Sequence, residues 1–156
     1  MNIFYLDTDI KKCAEYHNDK HVVKMITEYA QLLSSACRLS GYNVGYNITH
    51  KNHPCAIWTR SSEQNFLYLV DLQHYLHEEY KLRYSGREHK AYLLVQNELI
   101  LPELPSIDFT EPPKCVPDTY KHLSTVKAYR EYYKNEKRYF STWKTQIPEW
   151  FNNDTL

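Results

Sequence analysis

Apolar side chains recur along most of this chain at the three- and four-residue spacing of an α-helix. The clearest run lies between Asp19 and Leu39, where Val22, Met25, Ile26, Tyr29, Leu32, Leu33, Ala36 and Leu39 form one stripe. Gly41 follows, where a left-handed C-cap residue belongs. Upstream, Asp7, Thr8 and Asp9 offer N-cap oxygens for a short helix from Ile10 to about Tyr16. Pro54 can open another helix, which Ser61 or Ser62 restarts or kinks. Phe66, Leu69, Leu72, Tyr75, Leu76 and Tyr80 carry it to about Tyr84, and Gly86 ends it. A further helix fits Glu88–Leu101, and Ser124 caps a last one over Val126–Trp143. Between them, Pro102–Asp118 holds five prolines and reads as a long ordered loop. Only Ile3–Leu6 suggests a strand. The pattern predicts an all-α single domain over residues 1–156, with four or five main helices and at most one short N-terminal strand. Val22, Ile26, Tyr29, Leu33, Ala36, Phe66, Leu69 and Leu72 are the expected core.

Composition narrows the possibilities. A chain of 156 residues with 42% apolar residues and three glycines is a packed globule, not a disordered tail. No apolar run reaches the ~20 residues that span a bilayer, and MNIFYLDTDI lacks the basic start of a signal peptide. The expectation is a soluble protein without a membrane partner. Lys+Arg and Asp+Glu balance at 19 each, so there is no overall basic excess of the kind that holds long duplex DNA. Cys13, Cys37, Cys55 and Cys115 form no CxxC pair and read as buried thiols. No P-loop, nucleophilic-serine motif or dinucleotide glycine motif occurs, and three glycines exclude a Gly-rich phosphate cradle. An anion site here must use side chains and helix ends.

Two segments concentrate such groups. In HNDKHVVK, His17, His21 and Lys24 share one face if the stretch is a single helix, with Lys20 beside them and Glu28 one turn on. Either a solvated polar face or an anion pocket accounts for them. Cys13, His17 and His21 are also compatible with zinc on a helix, but Asn18 stands where a zinc protease has its glutamate, and no metal or cofactor is assigned. In THKNHPCAIWTR, Thr49, His50, Asn52 and His53 run into the Pro54 helix start, followed by Trp58 and Arg60. A helix N-terminus favours anions, Trp offers a stacking face and Arg a bidentate fork. The competing structural reading makes His53 a cap, Trp58 core and Arg60 a partner of Glu63. Asn65, about one turn past Arg60, would reach a base edge. The late Tyr/Lys/Arg-rich helix reads chiefly as a core stripe with a solvated face.

At HNDKHVVKM, AQLLSSA, THKNHPCAIWTR, PDTY and TWKTQIPEWF, the chain resembles small proteins of tailed bacteriophages over nearly its whole length. Some of these carry the label pyrimidine-dimer DNA glycosylase. The phage dimer glycosylases use the processed N-terminal amine of a threonine as nucleophile, assisted by a glutamate. Here Asn2 follows Met1, and a bulky second residue retains the methionine, a departure from that pattern. The resemblance implies a place in the host cytoplasm.

Two functions follow as expectations. In the first, an oligomeric phage accessory protein sequesters a phosphate-bearing nucleotide, such as a cyclic dinucleotide or ADP-ribose-type immune signal. His17, Lys20, His21, Lys24, Thr49, His50, Asn52, His53, Trp58, Arg60 and Asn65 would bind it, the two segments meeting at one pocket. The alternative is a DNA glycosylase, with Glu15 or Glu28 as acid/base and Lys20 or Lys24 as imine-forming nucleophile.

Overall fold

The N-terminal segment explains why no sheet forms. In the computed structural model, which describes residues 1–153, Ile3, Phe4, Tyr5 and Leu6 are buried in an extended conformation with no strand beside them. Their backbone groups are satisfied by side chains instead. Phe4 N–H donates to the Tyr29 hydroxyl, the Cys13 thiol donates to Phe4 C=O, and Arg130 Nε donates to Leu6 C=O. The strand expected as a possibility is thus a buried thread through a helical core. Among the described residues there is no strand at all.

Six helices surround it: α1 (Ile10–Tyr16), α2 (Asp19–Leu39), α3 (Pro54–Ser61), α4 (Glu63–Arg83), α5 (Lys90–Glu98) and α6 (Thr125–Glu136). Three single 3₁₀ turns, Asp118–Tyr120, Arg138–Phe140 and Glu149–Asn152, complete the regular structure among the described residues. The fold is all-α. Helix α2 is central, packing on α3, α4 and α5, while α1 lies against α4.

Local chemistry sets the boundaries. Asp9 caps α1, accepting from Lys12 N–H at 2.9 Å, and Asn18 caps α2, accepting from His21 N–H at 2.8 Å. Residues 17–24 are therefore not one helix, because the chain turns at His17 and Asn18. The stripe of α2 is buried as expected from Val22 to Ala36, its last member Leu39 being exposed at the helix end, and all eight expected core residues lie within the hydrophobic core. Each large aliphatic side chain there contributes about 1.5–3 kcal/mol. Gly41, at φ +98°, takes the left-handed position after α2. Ser62 divides α3 from α4, leaving helical geometry at φ −156° and accepting from Asn65 N–H.

Two helices are shorter than their patterns suggest. Helix α5 starts only after His89, whose side chain accepts from Ala91 N–H, and it ends at Glu98. Helix α6 stops at Glu136 and does not reach Trp143. Beyond it, Thr142 C=O accepts Asp19 N–H and Trp143 Nε1 donates to Tyr16 C=O. The chain leaves the helix to cover the start of α2.

The proline-rich arm is fastened at several points. Trp58 Nε1 donates to Thr110 C=O at 3.0 Å, Asn65 Oδ1 accepts Thr110 N–H, and Tyr129 OH donates to Pro113 C=O. Asn2 Nδ2 donates to Cys115 C=O at 2.8 Å, tying the arm to the chain's first residues.

Candidate active site

Helix α2 points Lys24, Thr27, Glu28 and Gln31 toward one end of the molecule. The loop before α3 brings His50 and His53 there, and His89 arrives from the start of α5. With Met1 and Val23 these residues line a broad, open cavity of about 780 Å³. In its lining the α-amine of Met1 donates to Glu28 Oε1 at 2.7 Å. The Met1 side chain is 5% exposed and that of Glu28 16%. Lys24 Nζ stands 3.8 Å from the other Glu28 oxygen, yet its own side chain is mostly in water.

The histidines of the cavity are held individually. His53 caps α3, Nδ1 accepting Cys55 N–H at 3.0 Å. His89 accepts Ala91 N–H at Nδ1 and therefore donates from Nε2 to Val23 C=O. His50 sits in left-handed backbone at φ 49° with Nδ1 against Thr49 Oγ1. Burial lowers the His53 pKa from its ordinary value, and the neighbouring α-amine and His50 lower it further. Burial lowers that of His89 too. The cavity thus combines three imidazoles, one carboxylate and two amines, one of them the chain's own terminus.

The other sequence-predicted residues lie elsewhere. His17 is fully buried as the C-cap of α1, between Cys13 C=O at 2.7 Å and the Tyr29 hydroxyl at 2.8 Å. His21 packs on Phe4 and contacts the Tyr133 hydroxyl at 2.6 Å. Burial pushes the His17 pKa down to about 4. Burial, with His17, Lys137, Lys24 and Lys20 nearby, pushes that of His21 down to about 2. These rings are neutral hydrogen-bonded parts of the core, with both His17 nitrogens engaged. The Cys13 thiol donates to Phe4 C=O, so Cys13, His17 and His21 do not converge as metal ligands. Lys20 lies over the Phe140 ring at 4.8 Å, exposed to solvent.

Of the second segment, His50 and His53 reach the cavity with Lys24, so the two basic segments do meet there, through fewer residues than expected. Trp58 and Asn65 face the arm instead, Asn65 Nδ2 also donating to Trp58 C=O. Arg60 donates to Lys51 C=O rather than pairing with Glu63, and Asn52 is exposed beside it. Glu15 lies at a different cavity, of about 360 Å³, with Glu79 and residues 145–149. It is separated from the α-amine, which leaves Glu28 as the acid at the amine.

Sequence reasoning missed three participants. His89 carried no motif. The Met1 amine is invisible to side-chain patterns. Arg83 carried no motif either, yet it is buried and donates to His17 C=O, Glu15 C=O, Asp19 and Glu79, clamping α1 and α2 to α4.

Residues 1–92, more than half of the chain and including α1 to α4, match the model of a family described as pyrimidine dimer DNA glycosylase. No curated protein and no solved structure matches the chain. The matched portion contains the Met1 amine, Glu28 and every histidine of the cavity. By this match, the chain belongs to the pyrimidine dimer DNA glycosylase family.

Proposed function

We propose that this protein excises damaged pyrimidines from DNA, using the α-amine of Met1 as nucleophile and Glu28 as its acid/base partner. The observation that carries this reading is the 2.7 Å contact between that amine and Glu28 inside the cavity. Such an amine can attack C1′ of the damaged nucleotide. The N–C1′ bond forms as the C1′–N1 bond breaks, its electron pair leaving on the base, which takes a proton from solvent and, in a dimer, stays joined to its neighbour through the cyclobutane ring. Glu28 takes the proton that the amine sheds and can return it to the sugar oxygen as the ring opens to an imine.

This reading revises two expectations. The nucleophile in this proposal is the Met1 amine, 2.7 Å from Glu28, in place of Lys24, which stands 3.8 Å from the same carboxylate and is mostly in water, or Lys20, which lies over Phe140. Retention of methionine before Asn2 is no obstacle either, since the methionine carries a primary amine to the same place. Lys24 at the cavity rim, with Lys20 and Lys137 about Phe140, gives a cationic edge on which a DNA backbone would lie. Glu28 argues against an anion-sequestering pocket, where a central carboxylate would repel the phosphates.

Borohydride trapping on duplex DNA carrying a cyclobutane pyrimidine dimer tests the proposal. The expected product is a covalent adduct mapped by peptide mass to Met1 and lost when two residues are added before it. No adduct and no strand break or abasic site at the dimer would overturn it, as would an adduct at Lys24. Calorimetry with cyclic dinucleotides and ADP-ribose supplies the contrast: tight binding there without base excision restores the sequestering reading.

A further inference from the structure

Outside the Met1–Glu28 pair, one cluster of side chains has the composition of a metal site. His53, Cys55 and Cys115 bring one ligand atom each to within 4.8 Å of one another. The three come from well-anchored places. His53 and Cys55 are the N-cap and second residue of α3, and Cys115 sits on the proline-rich arm. Cys115 N–H donates to Tyr129 OH, and its C=O accepts from Asn2.

The remaining thiols differ. Cys13 donates to Phe4 C=O and Cys37 donates to Ile100 C=O, each an ordinary buried thiol with a backbone partner. Cys55 and Cys115 have each other, Sγ to Sγ at 3.8 Å. That is far longer than a disulfide at about 2.05 Å. It matches the edge of a tetrahedron, because two thiolates each ~2.3 Å from a zinc ion stand about 3.8 Å apart. On His53 the Nδ1 lone pair faces the same helix start, occupied by the Cys55 N–H. A metal would exchange that capping bond for a coordinate one.

We propose that His53, Cys55 and Cys115 form a binding site for a soft divalent cation, zinc in the first instance. Two thiolates neutralise the ion and imidazole completes a three-ligand set, leaving one of zinc's four positions to water. The ion ties the arm to α3. Because Asn2 hangs on Cys115, it also steadies the first residues of the chain. The site does not depend on the excision chemistry: an inactive protein could bind zinc, and an active one could fail to.

Titration of the reduced, metal-stripped full chain with Zn²⁺, read by competition with a chromogenic chelator, is the direct test. The expected result is one zinc per chain, with affinity reduced at least about tenfold in Cys115→Ser and unchanged in Cys37→Ser. Co²⁺ added to the unmutated protein gives a readout that does not depend on any variant folding. Thiolate-to-cobalt charge-transfer bands with tetrahedral d–d absorption are expected. Absence of stoichiometric zinc, equal affinity in Cys115→Ser, or a cobalt spectrum without thiolate bands would each overturn the proposal.

Discussion

Two groups of histidines in this chain have opposite fates. His17 and His21 lie inside, locked to the hydroxyls of Tyr29 and Tyr133 and kept neutral by burial. His50, His53 and His89 line an open cavity with an amine and a carboxylate. Residue type and spacing do not separate the groups. What packs over them does: Phe4, Tyr29 and Tyr133 cover the first group, while solvent reaches the second. A histidine-rich motif in a tyrosine-rich chain is therefore ambiguous between a core polar network and a site, and the tyrosine partners decide it.

The sharpest way to break this contrast is on the cavity side. Glu28→Gln should lower imine trapping by about 10²- to 10⁴-fold, the usual range for losing an acid/base group. Its melting temperature should stay within a few degrees of the parent's. A normal trapping rate would remove Glu28 from the chemistry.

The next test is on the buried side. Arg83→Ala removes one cation from between Asp19 and Glu79 and leaves both carboxylates and two carbonyl oxygens without it. Urea unfolding should show a loss of roughly 3–5 kcal/mol. A loss under 1 kcal/mol would mean that the clamp contributes little.

The buried histidines also predict a pH response. Each is neutral in the native state, whereas in the unfolded chain an ordinary histidine protonates near ~6.5. At acid pH the unfolded state binds the extra protons, so stability is full above that value. It falls as pH drops toward the His17 pKa of about 4. For His17 alone the loss by pH 4 is on the order of 3 kcal/mol. Denaturant melts between pH 7 and 4 measure it, and His17→Gln should flatten the slope. An unchanged slope in that variant would assign the acid sensitivity to other groups.

The smallest expected effect belongs to Lys24. Its ammonium is largely hydrated, so Lys24→Ala should change stability by no more than about 0.5 kcal/mol. In DNA binding, the slope of log affinity against log salt should become shallower by about 1, one phosphate contact's worth. An unaltered slope would take Lys24 off the DNA path.

The helical frame was legible because its signals are local. The α2 stripe, the Asp9 and Ser62 caps and the Gly41 stop all act within a turn or two. The illegible parts depend on distant partners. Nothing within Lys134–Trp143 announces that α6 ends at Glu136; Asp19 and Tyr16, more than a hundred residues earlier, draw residues 142–144 away. Ile3–Leu6 has the composition of a strand, but its partners are a tyrosine, a cysteine and an arginine. At the site, Lys24, Glu28, His50 and His53 were readable as donors and an acid near each other in the fold. The Met1 amine belongs to no side-chain motif, and His89 lies in a segment with no clustering of its own. Trp58 looked like a stacking face because indole at a helix start suits a base. Its N–H binding Thr110 follows from the course of an arm that periodicity does not describe.

The link from Asn2 to Cys115 has a consequence for modularity. The family's signature ends at residue 92, yet the first residues are positioned partly by an arm some twenty residues beyond it. Tyr129 of α6 in turn grips that arm. Cutting the chain at the edge of the signature would keep the Met1 amine and Glu28 and discard part of the frame that holds the first of them. The matched part is thus not a portable cassette, and shuffling it onto another C-terminal half would require that half to supply a new anchor for the second residue.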